Sequence, residues 1–230
     1  MPTDIAGIVY TASVWVLPVL IAITFHEAAH GYVAWKLGDD TAYRMGRVTF
    51  NPLKHIDMFG TIIVPALLIL IRAPFLFGWA KPVPVDFRRL DAPRRDMVWV
   101  AAAGPGINLA LAVISAALIH IAILVPQPVS GWTVHVLENS LIINVMLAVF
   151  NMVPLPPLDG GRVAVGLLPN ALAMPLARLE RYGLFILVGL IFILPMIGER
   201  IGVTIDVFAW VVAVPAQMVI QVILTAVGLS

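Results

Sequence analysis

The chain of 230 residues contains no cysteine and few charged residues. Without cysteine it can form no disulfide framework and no thiolate metal site, so a metal ion would have to be bound by histidine and carboxylate side chains. Only 12% of the residues are charged, whereas 61% are hydrophobic. A soluble domain has about 25% charged and about 45–50% apolar residues. The composition therefore predicts an integral membrane protein in contact with the lipid bilayer.

The formal net charge of the chain is +1. Proteins that bind nucleic acids carry a clear excess of lysine and arginine, so no nucleic acid partner is expected. The sequence also shows no internal repeat, low-complexity tract or linker. We therefore expect a single membrane-embedded domain over residues 1–230.

Hydrophobic stretches long enough to cross a bilayer recur along the chain. A spanning helix needs about 20 mostly apolar residues, and five stretches meet this requirement, at about 7–35, 97–125, 136–154, 182–198 and 204–228. A sixth stretch, at about 58–80, is shorter and is interrupted by Pro65 and Pro74. The predicted fold class is an all-α polytopic membrane protein with five to six transmembrane helices.

Lysines and arginines flank the sixth stretch on both sides. Lys36 and Lys54 precede it, Lys81 and Arg88 follow it, and the later connection "QPVSGWT" has no basic residue. Cytoplasmic connections carry such an excess of positive charge. Both flanks are therefore expected at the cytoplasmic face, so residues 58–85 are predicted to enter and leave on one side, as a re-entrant segment or a membrane-embedded β-hairpin. An ordinary sixth span is the alternative.

The first stretch ends in "HEAAH", an H-E-x-x-H motif formed by His26, Glu27 and His30. Residues four apart lie on one face of a helix, so both histidines can present a ring nitrogen to one metal ion. Two imidazoles leave positions open on Zn²⁺ for hydrolysis, and Glu27 lies close enough to take a proton from zinc-activated water. Ionisable groups are costly in lipid, which favours a metal site over an incidental surface pair.

Two histidines make an incomplete zinc site, and Asp159 is the strongest candidate for a third ligand. Other acidic residues, such as Asp39 and Asp96, fall in basic loops and are interpreted as surface charges. Asp159 follows the proline-rich "VPLPPL", which prevents a continuous helix, and precedes two glycines, which permit a tight turn close to other backbone. It reaches the histidines only if residues 58–80 are re-entrant. The alternative role for Asp159 is stabilisation of the turn.

These motifs together resemble the site-2 proteases, which are zinc metalloproteases that cut within membranes. "HEAAH" and "NMVPLPPLDGGR" match the two metal motifs, while "AAAGPGINLALA" and "FGWAKPVPV" match two further segments of the family. The resemblance implies that His26, His30 and Asp159 bind one Zn²⁺ per chain and that Glu27 is the catalytic base. It implies one protease domain, with its catalytic core at about 7–168 and additional C-terminal spans at about 182–228.

The same resemblance implies roles in substrate or oxyanion binding for two asparagines. Asn151 matches the family asparagine that precedes the aspartate ligand, and it would contact the substrate backbone or the developing oxyanion. Asn108 matches the asparagine of a G-P-x-x-N segment, where pairing with unwound backbone is as consistent as catalysis. No soluble insert has room for a PDZ or CBS domain, so the chain resembles a short prokaryotic form.

The predicted function is hydrolysis of a peptide bond within or near a transmembrane helix of a protein or peptide substrate. The substrate helix must unwind first, and a strand edge in residues 58–85 is expected to hold the unwound segment by β-addition. The predicted location is a bacterial inner membrane, with the site toward the cytoplasm. The substrate and the oligomeric state stay open.

Two other functions are consistent with ionisable groups inside a membrane. The first is a transporter or channel that uses the "HEAAH" side chains as a proton or metal relay. The second is a catalytically silent relative that binds membrane helices. The H-E-x-x-H spacing argues against the first, and the intact Glu27 argues against the second.

Overall fold

The computed structural model describes residues 5–71 and 78–229, without the side chains of Pro65 and Ile69. The α-helices of these residues are α1 (Ile5–Lys36), α2 (Thr41–Arg44), α3 (Val64–Leu70), α4 (Pro93–Ala122), α5 (Val129–Asn151), α6 (Asp159–Leu167), α7 (Asn170–Arg178), α8 (Gly183–Val188), α9 (Leu194–Arg200) and α10 (Val214–Val227). Short 3₁₀ turns occur at Pro52–Lys54, Phe87–Arg89 and Leu179–Tyr182, and π-helical segments at Met58–Ile63, Gly189–Ile193 and Ala209–Ala213. No β-strand occurs in the residues described.

Five helical stretches are long and apolar enough to cross a membrane, namely Ile5–Lys36, Pro93–Ala122, Val129–Asn151, Asn170–Arg200 and Ala209–Val227. This confirms the predicted all-α polytopic fold and selects five spans. The predicted third span, at about 136–154, starts several residues after the true beginning of α5 at Val129. The first turns of α5 contain polar side chains, so the search for apolar stretches did not include them. The fourth begins late because its first helix, α7, is amphipathic.

Three of the spans, α1, α4 and α5, form a central bundle. On α4, Ala112 and Ala116 lie one turn apart and are fully buried, and they pack against Leu141 and Val145 of α5. Small side chains at such positions let membrane helices approach closely, which increases their van der Waals contact. The bundle therefore brings the backbones of α4 and α5 near enough for side-chain hydrogen bonds between them.

Helix α1 contains Pro18, which has no N–H for the carbonyl of Val14. In lipid, an unpaired backbone carbonyl is costly and needs a donor from the protein. Asn139 of α5 supplies it, since its Nδ2 donates to the Val14 carbonyl at 3.1 Å. This bond repairs the break in α1 and joins α1 to α5.

The sixth apolar stretch forms a short helix, and the chain after it returns to the end where that helix begins. The π-helical Met58–Ile63 and α3 together extend roughly 20 Å at 1.5 Å per residue, less than the roughly 30 Å of a hydrocarbon core. Past residues 72–77, which lie outside the described residues, the chain returns to its starting point. Trp79 N donates to Gly60 O at 3.1 Å, and Lys81 N donates to His55 O at 2.9 Å. The chain therefore comes back to the end at which it started, as the re-entrant prediction requires, and this short helix is not among the five stretches long enough to span a membrane.

The β-hairpin alternative for residues 58–85 is wrong for the residues described there. The β-branched run "GTIIV" is helical because a helix pairs its backbone N–H and C=O groups within the segment. An isolated hairpin in lipid would leave the outer edge of each strand unpaired. The need to satisfy the backbone outweighs the β-propensity of the side chains, which spans only about 1 kcal/mol.

Candidate metal centre

The two histidines of "HEAAH" lie on one face of α1, inside its apolar part. His26 is 8% exposed, and the Nε2 atoms of His26 and His30 are 3.0 Å apart. Their positions are four residues apart, so the helical repeat alone places the rings one above the other. The predicted shared face is present in the structure.

Asp159 completes a three-residue cluster with these histidines. The chain unwinds after Asn151, and Asp159 is the first residue of α6. Its Oδ2 lies 3.1 Å from His26 Nε2 and 3.3 Å from His30 Nε2. The structure therefore brings together the three residues that the sequence selects as a ligand set.

Two glycines after Asp159 allow this placement. A Cβ on Gly160 would overlap the carbonyl of Met152, and a Cβ on Gly161 would overlap the backbone N of Pro156. The first turn of α6 therefore packs directly against the unwound segment. The predicted tight turn close to other backbone is confirmed, and it carries the Asp159 carboxylate to the histidines.

The remaining ring nitrogens of both histidines contact oxygen acceptors. His26 Nδ1 lies 2.6 Å from Oδ1 of Asn108, and His30 Nδ1 lies 2.7 Å from the carbonyl of Val100. An oxygen acceptor requires a donor opposite it, so in each neutral ring the proton is on Nδ1 and the lone pair is on Nε2. Both lone pairs point toward Asp159.

The donor set fits a zinc ion. Two imidazole lone pairs and a carboxylate oxygen face one another across 3.0–3.3 Å, and Asp159 Oδ2 is buried without a hydrogen-bond donor. Three such groups repel one another unless a cation lies among them. Ligand atoms bound to tetrahedral zinc at about 2.0–2.1 Å are about 3.3 Å apart. The distances match that spacing without any movement of helices.

One stripe of α4 supports the histidines from behind. Val100, Gly104 and Asn108 are four residues apart, so they share a face of α4. At Gly104 the backbone passes so close that an added Cβ would lie 2.5 Å from His30 Nε2 and 2.6 Å from His26 Nε2. We assigned no role to Gly104 from sequence. Its spacing of four from Asn108 is the signal that identifies it.

Glu27 lies beside this cluster and is bonded to the segment that follows the re-entrant helix. Its Oε2 accepts a hydrogen bond from the backbone N–H of Val83 at 2.7 Å. That segment is fixed at both ends. Arg47 Nη2 donates to the carbonyl of Lys81 at 2.7 Å, and the backbone N–H of Asp86 donates to Oδ2 of Asp39 at 2.7 Å. Glu27 is therefore held by an anchored backbone.

Residues 81–84 have no backbone N–H group available to pair with a substrate strand. Lys81 N and Val83 N are already bonded to His55 O and Glu27, and the intervening prolines have no N–H. The predicted strand edge is therefore absent from this stretch.

The interpretation of Asp39 and Asp96 as surface charges is also wrong. Both are fully buried, because Asp39 binds loop N–H groups and Asp96 Oδ2 accepts from Ala92 N.

The two asparagines occupy different environments. Asn108 is fully buried and bonded to His26, and its Nδ2 donates to Ala22 O at 3.2 Å and to Asn144 Oδ1 at 2.7 Å. Asn151 is partly buried at the end of α5, and its Nδ2 donates to Leu147 O at 3.0 Å. Asn144, which connects to Asn108, was not singled out from sequence.

Comparison with known proteins identifies the class. Residues 118–195 match the model of "Peptidase family M50", and this region contains Asn151 and Asp159. The chain is 40% identical over 185 residues to "Putative zinc metalloprotease YwhC" of Bacillus subtilis, covering 79% of this chain and 80% of that protein. The chain belongs to peptidase family M50, the site-2 proteases. It is a zinc metalloprotease embedded in a membrane, and Zn²⁺ is its cofactor.

More distant relatives carry the same kind of name. The chain is 30% identical over 173 residues to "Putative zinc metalloprotease Rip2" of Mycolicibacterium smegmatis, covering 75% of this chain and 64% of that protein. It is 28% identical over 141 residues to the Rip2 protein of Mycobacterium tuberculosis, covering 61% and 52%. No solved structure matches the chain significantly.

Proposed function

We propose that this metalloprotease acts inside the membrane and hydrolyses a peptide bond within or near a transmembrane helix of its substrate. The depth of the metal cluster is the observation that carries the proposal. His26 and His30 belong to α1 and are supported by α4, and both helices are long and apolar enough to span a bilayer. A soluble peptide would have to enter the membrane to reach them.

His26, His30 and Asp159 hold the zinc ion in this proposal. When bound, zinc polarises the scissile carbonyl and lowers the pKa of the attacking water. Glu27 takes the proton from that water and gives it to the leaving amine. The hydrogen bond from Val83 N orients the Glu27 carboxylate for both transfers.

The two asparagines have separate tasks. Asn151 uses Nδ2 to bind Leu147 O, and no other bond of its side chain is found among the described residues. Its Oδ1 and second N–H are therefore assigned to the substrate backbone. Asn108 is fully buried, and its amide is already hydrogen-bonded to His26, Ala22 O and Asn144. We assign Asn108 to the orientation of His26.

An apolar cavity beside the metal cluster is suited to the substrate. It has a volume of about 490 Å³, and its walls include Ile23 of α1, Ile143 and Leu147 of α5, and Val188 in the fourth span. Ile23 lies one helical turn before Glu27, and Leu147 lies one turn before Asn151. Apolar side chains that flank the scissile bond would therefore fit within one turn of both residues.

The cytoplasmic side is the proposed location of the active site. Helix directions place the ends of α1 and α5 that carry the cluster on the same side as the basic connections. At the opposite end of these helices, the connection between α4 and α5 at residues 123–128 contains no lysine or arginine. This charge distribution follows the positive-inside rule. The matched relatives are bacterial, so we propose a bacterial cell membrane.

The proposed activity is tested with two matched peptides in liposomes. One has a single apolar span, and in the other the apolar residues of that span are replaced by serine and glutamine. We expect the purified protein to cut the first inside its apolar stretch, as mapped by mass spectrometry, and to leave the second intact. Equal cleavage of both, or cuts confined to the polar flanks, would contradict an intramembrane site.

The orientation is tested with single cysteines, because the chain has none of its own. Lys54→Cys and Gln127→Cys lie in connections at opposite ends of the spans. A membrane-impermeant maleimide should label Lys54→Cys in inside-out vesicles and Gln127→Cys in right-side-out vesicles. The reverse pattern would place the active site at the outer face.

A further inference from the structure

Two amide side chains lie fully buried where α1, α4 and α5 meet. Asn108 of α4 and Asn144 of α5 are each 0% exposed. A buried amide costs several kcal/mol unless it is hydrogen-bonded, and in a membrane span it costs most. Their retention in a chain with 61% hydrophobic residues therefore calls for a role that an apolar side chain cannot fill.

Backbone carbonyls determine which way each amide faces. Asn108 Nδ2 donates to Ala22 O at 3.2 Å, and Asn144 Nδ2 donates to Ser140 O at 2.8 Å. A carbonyl can only accept, so each of these contacts requires an NH₂ group. The Oδ1 of Asn144 is thereby left to accept from Asn108 Nδ2, at 2.7 Å. Every contact in the series then has one donor and one acceptor.

This direction extends to His26. With Nδ2 of Asn108 committed to two acceptors, its Oδ1 faces His26 Nδ1 at 2.6 Å. His26 must therefore donate from Nδ1, which leaves the Nε2 lone pair for the metal. His30 differs, because the Val100 carbonyl binds its Nδ1 directly at 2.7 Å. Only His26 depends on a series of side chains for its orientation.

We propose that Asn144 is a positioning residue for the zinc ion. By accepting from Asn108, it holds the amide that orients His26, so it acts on the metal from outside the ligand set. The proposal rests on His26 being a zinc ligand, as proposed above. It predicts that loss of Asn144 weakens zinc binding although Asn144 touches neither the metal nor a ligand.

The alternative role for Asn144 is only to hold helices together. Asn139, on the same helix, is an asparagine with that role. Asn139 also lies on α5, and its Nδ2 donates to a carbonyl of α1, Val14 O, at 3.1 Å. Among the residues that the structure describes, it has no bond to the series that ends at His26. Asn139→Leu therefore removes an interhelical hydrogen bond of the same type and leaves the series from Asn144 to His26 intact. It serves as the matched control.

The test measures zinc release from detergent-purified protein into excess EDTA. Substitution of residues that orient metal ligands typically weakens binding about 10–100-fold. We expect faster release by about that range for Asn108→Leu and by about tenfold for Asn144→Leu, with a changed visible spectrum after loading with Co²⁺. Asn139→Leu should release zinc at the wild-type rate, even where its melting temperature falls as far as that of Asn144→Leu.

A conservative variant supplies the rescue. In Asn144→Asp, a carboxyl kept neutral by burial accepts from Asn108 and donates to Ser140 O, so zinc release should return close to the wild-type rate. Asn144→Ser replaces Asn144→Leu if the latter does not yield monodisperse protein. Zinc release at the wild-type rate in Asn144→Leu, or in Asn144→Ser where it replaces that variant, would overturn the proposal. So would an equal acceleration of zinc release in Asn139→Leu.

His26→Ala separates this proposal from the ligand assignment on which it rests. If His26→Ala loses zinc while Asn144→Leu keeps it, the ligand set stands and the positioning role fails. If His26→Ala itself retains zinc with wild-type kinetics, the assignment of the metal centre fails, and the role of Asn144 fails with it.

Discussion

The central bundle and the C-terminal spans are held in different ways. Helices α1, α4 and α5 are joined by side-chain hydrogen bonds at membrane depth, including Asn139 to Val14 O and Ser115 to Ser140 at 2.8 Å. The C-terminal spans meet the bundle mainly through apolar side chains. Among the described residues, the polar links between α4 and these spans include two near the span ends, from His120 to Val227 O and from Arg94 to Asn170 Oδ1.

The boundary between these two regions also contains cavities. One of about 490 Å³ and a second of about 250 Å³ are lined by α5 on one side and by the C-terminal spans on the other. Hydrogen bonds are directional and hold ligands in place, whereas apolar contact is not directional and permits sliding. The comparison teaches that the candidate metal centre belongs to the hydrogen-bonded bundle, which is the more rigid region, and that the cavity proposed for the substrate lies where this rigid region ends.

The largest expected effect comes from breaking the rigid region at its metal cluster. Asp159→Ala removes one of three proposed ligands, so we expect wild-type protein to hold about one zinc per chain and the variant to bind it more than ~100-fold more weakly. Elemental analysis after dialysis measures this. Asp206→Ala, which removes a carboxylate from the C-terminal region, should keep its zinc. Full zinc in Asp159→Ala would remove Asp159 from the site.

Loss of the proposed base should be the next largest effect. Glu27→Gln keeps the shape of the side chain but cannot accept the proton, and positioned bases contribute about 10²–10⁴-fold. We expect kcat on a single-span peptide to fall by that factor while zinc content is unchanged. Glu180→Gln, at an exposed glutamate, is the control. A kcat within a few-fold of wild type in Glu27→Gln would show that another group takes the proton.

A single methyl group on α4 should disturb the metal centre. In Gly104→Ala the new Cβ would lie 2.5–2.6 Å from the two imidazoles, so the rings or the helix must shift. Overpacking of this kind costs about 1–3 kcal/mol, and we expect lower thermal stability together with zinc loss. Gly106→Ala lies two residues along the same helix with nothing within 4 Å of its Cβ. If both variants behave alike, the close packing of α4 on the histidines is not needed for zinc.

The boundary cavity is probed by two neighbouring isoleucines of α5. Ile143 lines the cavity, whereas Ile142 is 39% exposed. Ile143→Trp should fill the cavity and raise KM for a single-span peptide about tenfold, which corresponds to about 1.4 kcal/mol, with kcat and zinc content little changed. Ile142→Trp should leave KM unchanged. An equal effect of the two substitutions would argue against the cavity as the substrate site.

The smallest effect is expected where an ion pair links α6, the helix that carries Asp159, to the fourth span. Arg162 and Glu180 approach to 3.3 Å, but their side chains are 35% and 52% exposed. Water and salt screen such pairs, so a double-mutant cycle on thermal unfolding in detergent should give a coupling below ~1 kcal/mol that decreases with added salt. A coupling that is large and insensitive to salt would mean that this pair fixes the fourth span to α6.

Much of the candidate site was predictable because it depends on local rules. The spacing of four in "HEAAH" places His26 and His30 on one face of any α-helix. The proline-rich run before Asp159 ends α5, and the glycines after it allow close backbone contact. The basic flanks of residues 58–80 indicated a return to the same side, which the bond from Trp79 N to Gly60 O bears out.

Other features were beyond local rules because distant residues decide them. The β-branched run after Met58 is helical, since the backbone in lipid must be paired within the segment. Asp39 is buried where its carboxylate accepts from Asp86 N, a residue distant in sequence, and Asp96 is buried in the first turn of α4. Asn144 belongs to no recognisable motif, and Gly104 begins the G-P-x-x-N segment without a role that the sequence assigns to it. Both gained meaning only when α4 and α5 were placed against α1.

The sequence by itself indicated the class of protein, five apolar stretches long enough to span a membrane, the return of residues 58–80 to one side and the three candidate ligands. The spans and the return follow from composition and charge, and the ligands and the class from local motifs and their resemblance to a known family. All of these are properties of short segments. Only the tertiary structure decided how the ligands are held. The direction of the series from Ser140 to His26 depends on which carbonyl of one helix faces which amide of another. Helix packing sets that contact, and spacing along the chain does not encode it.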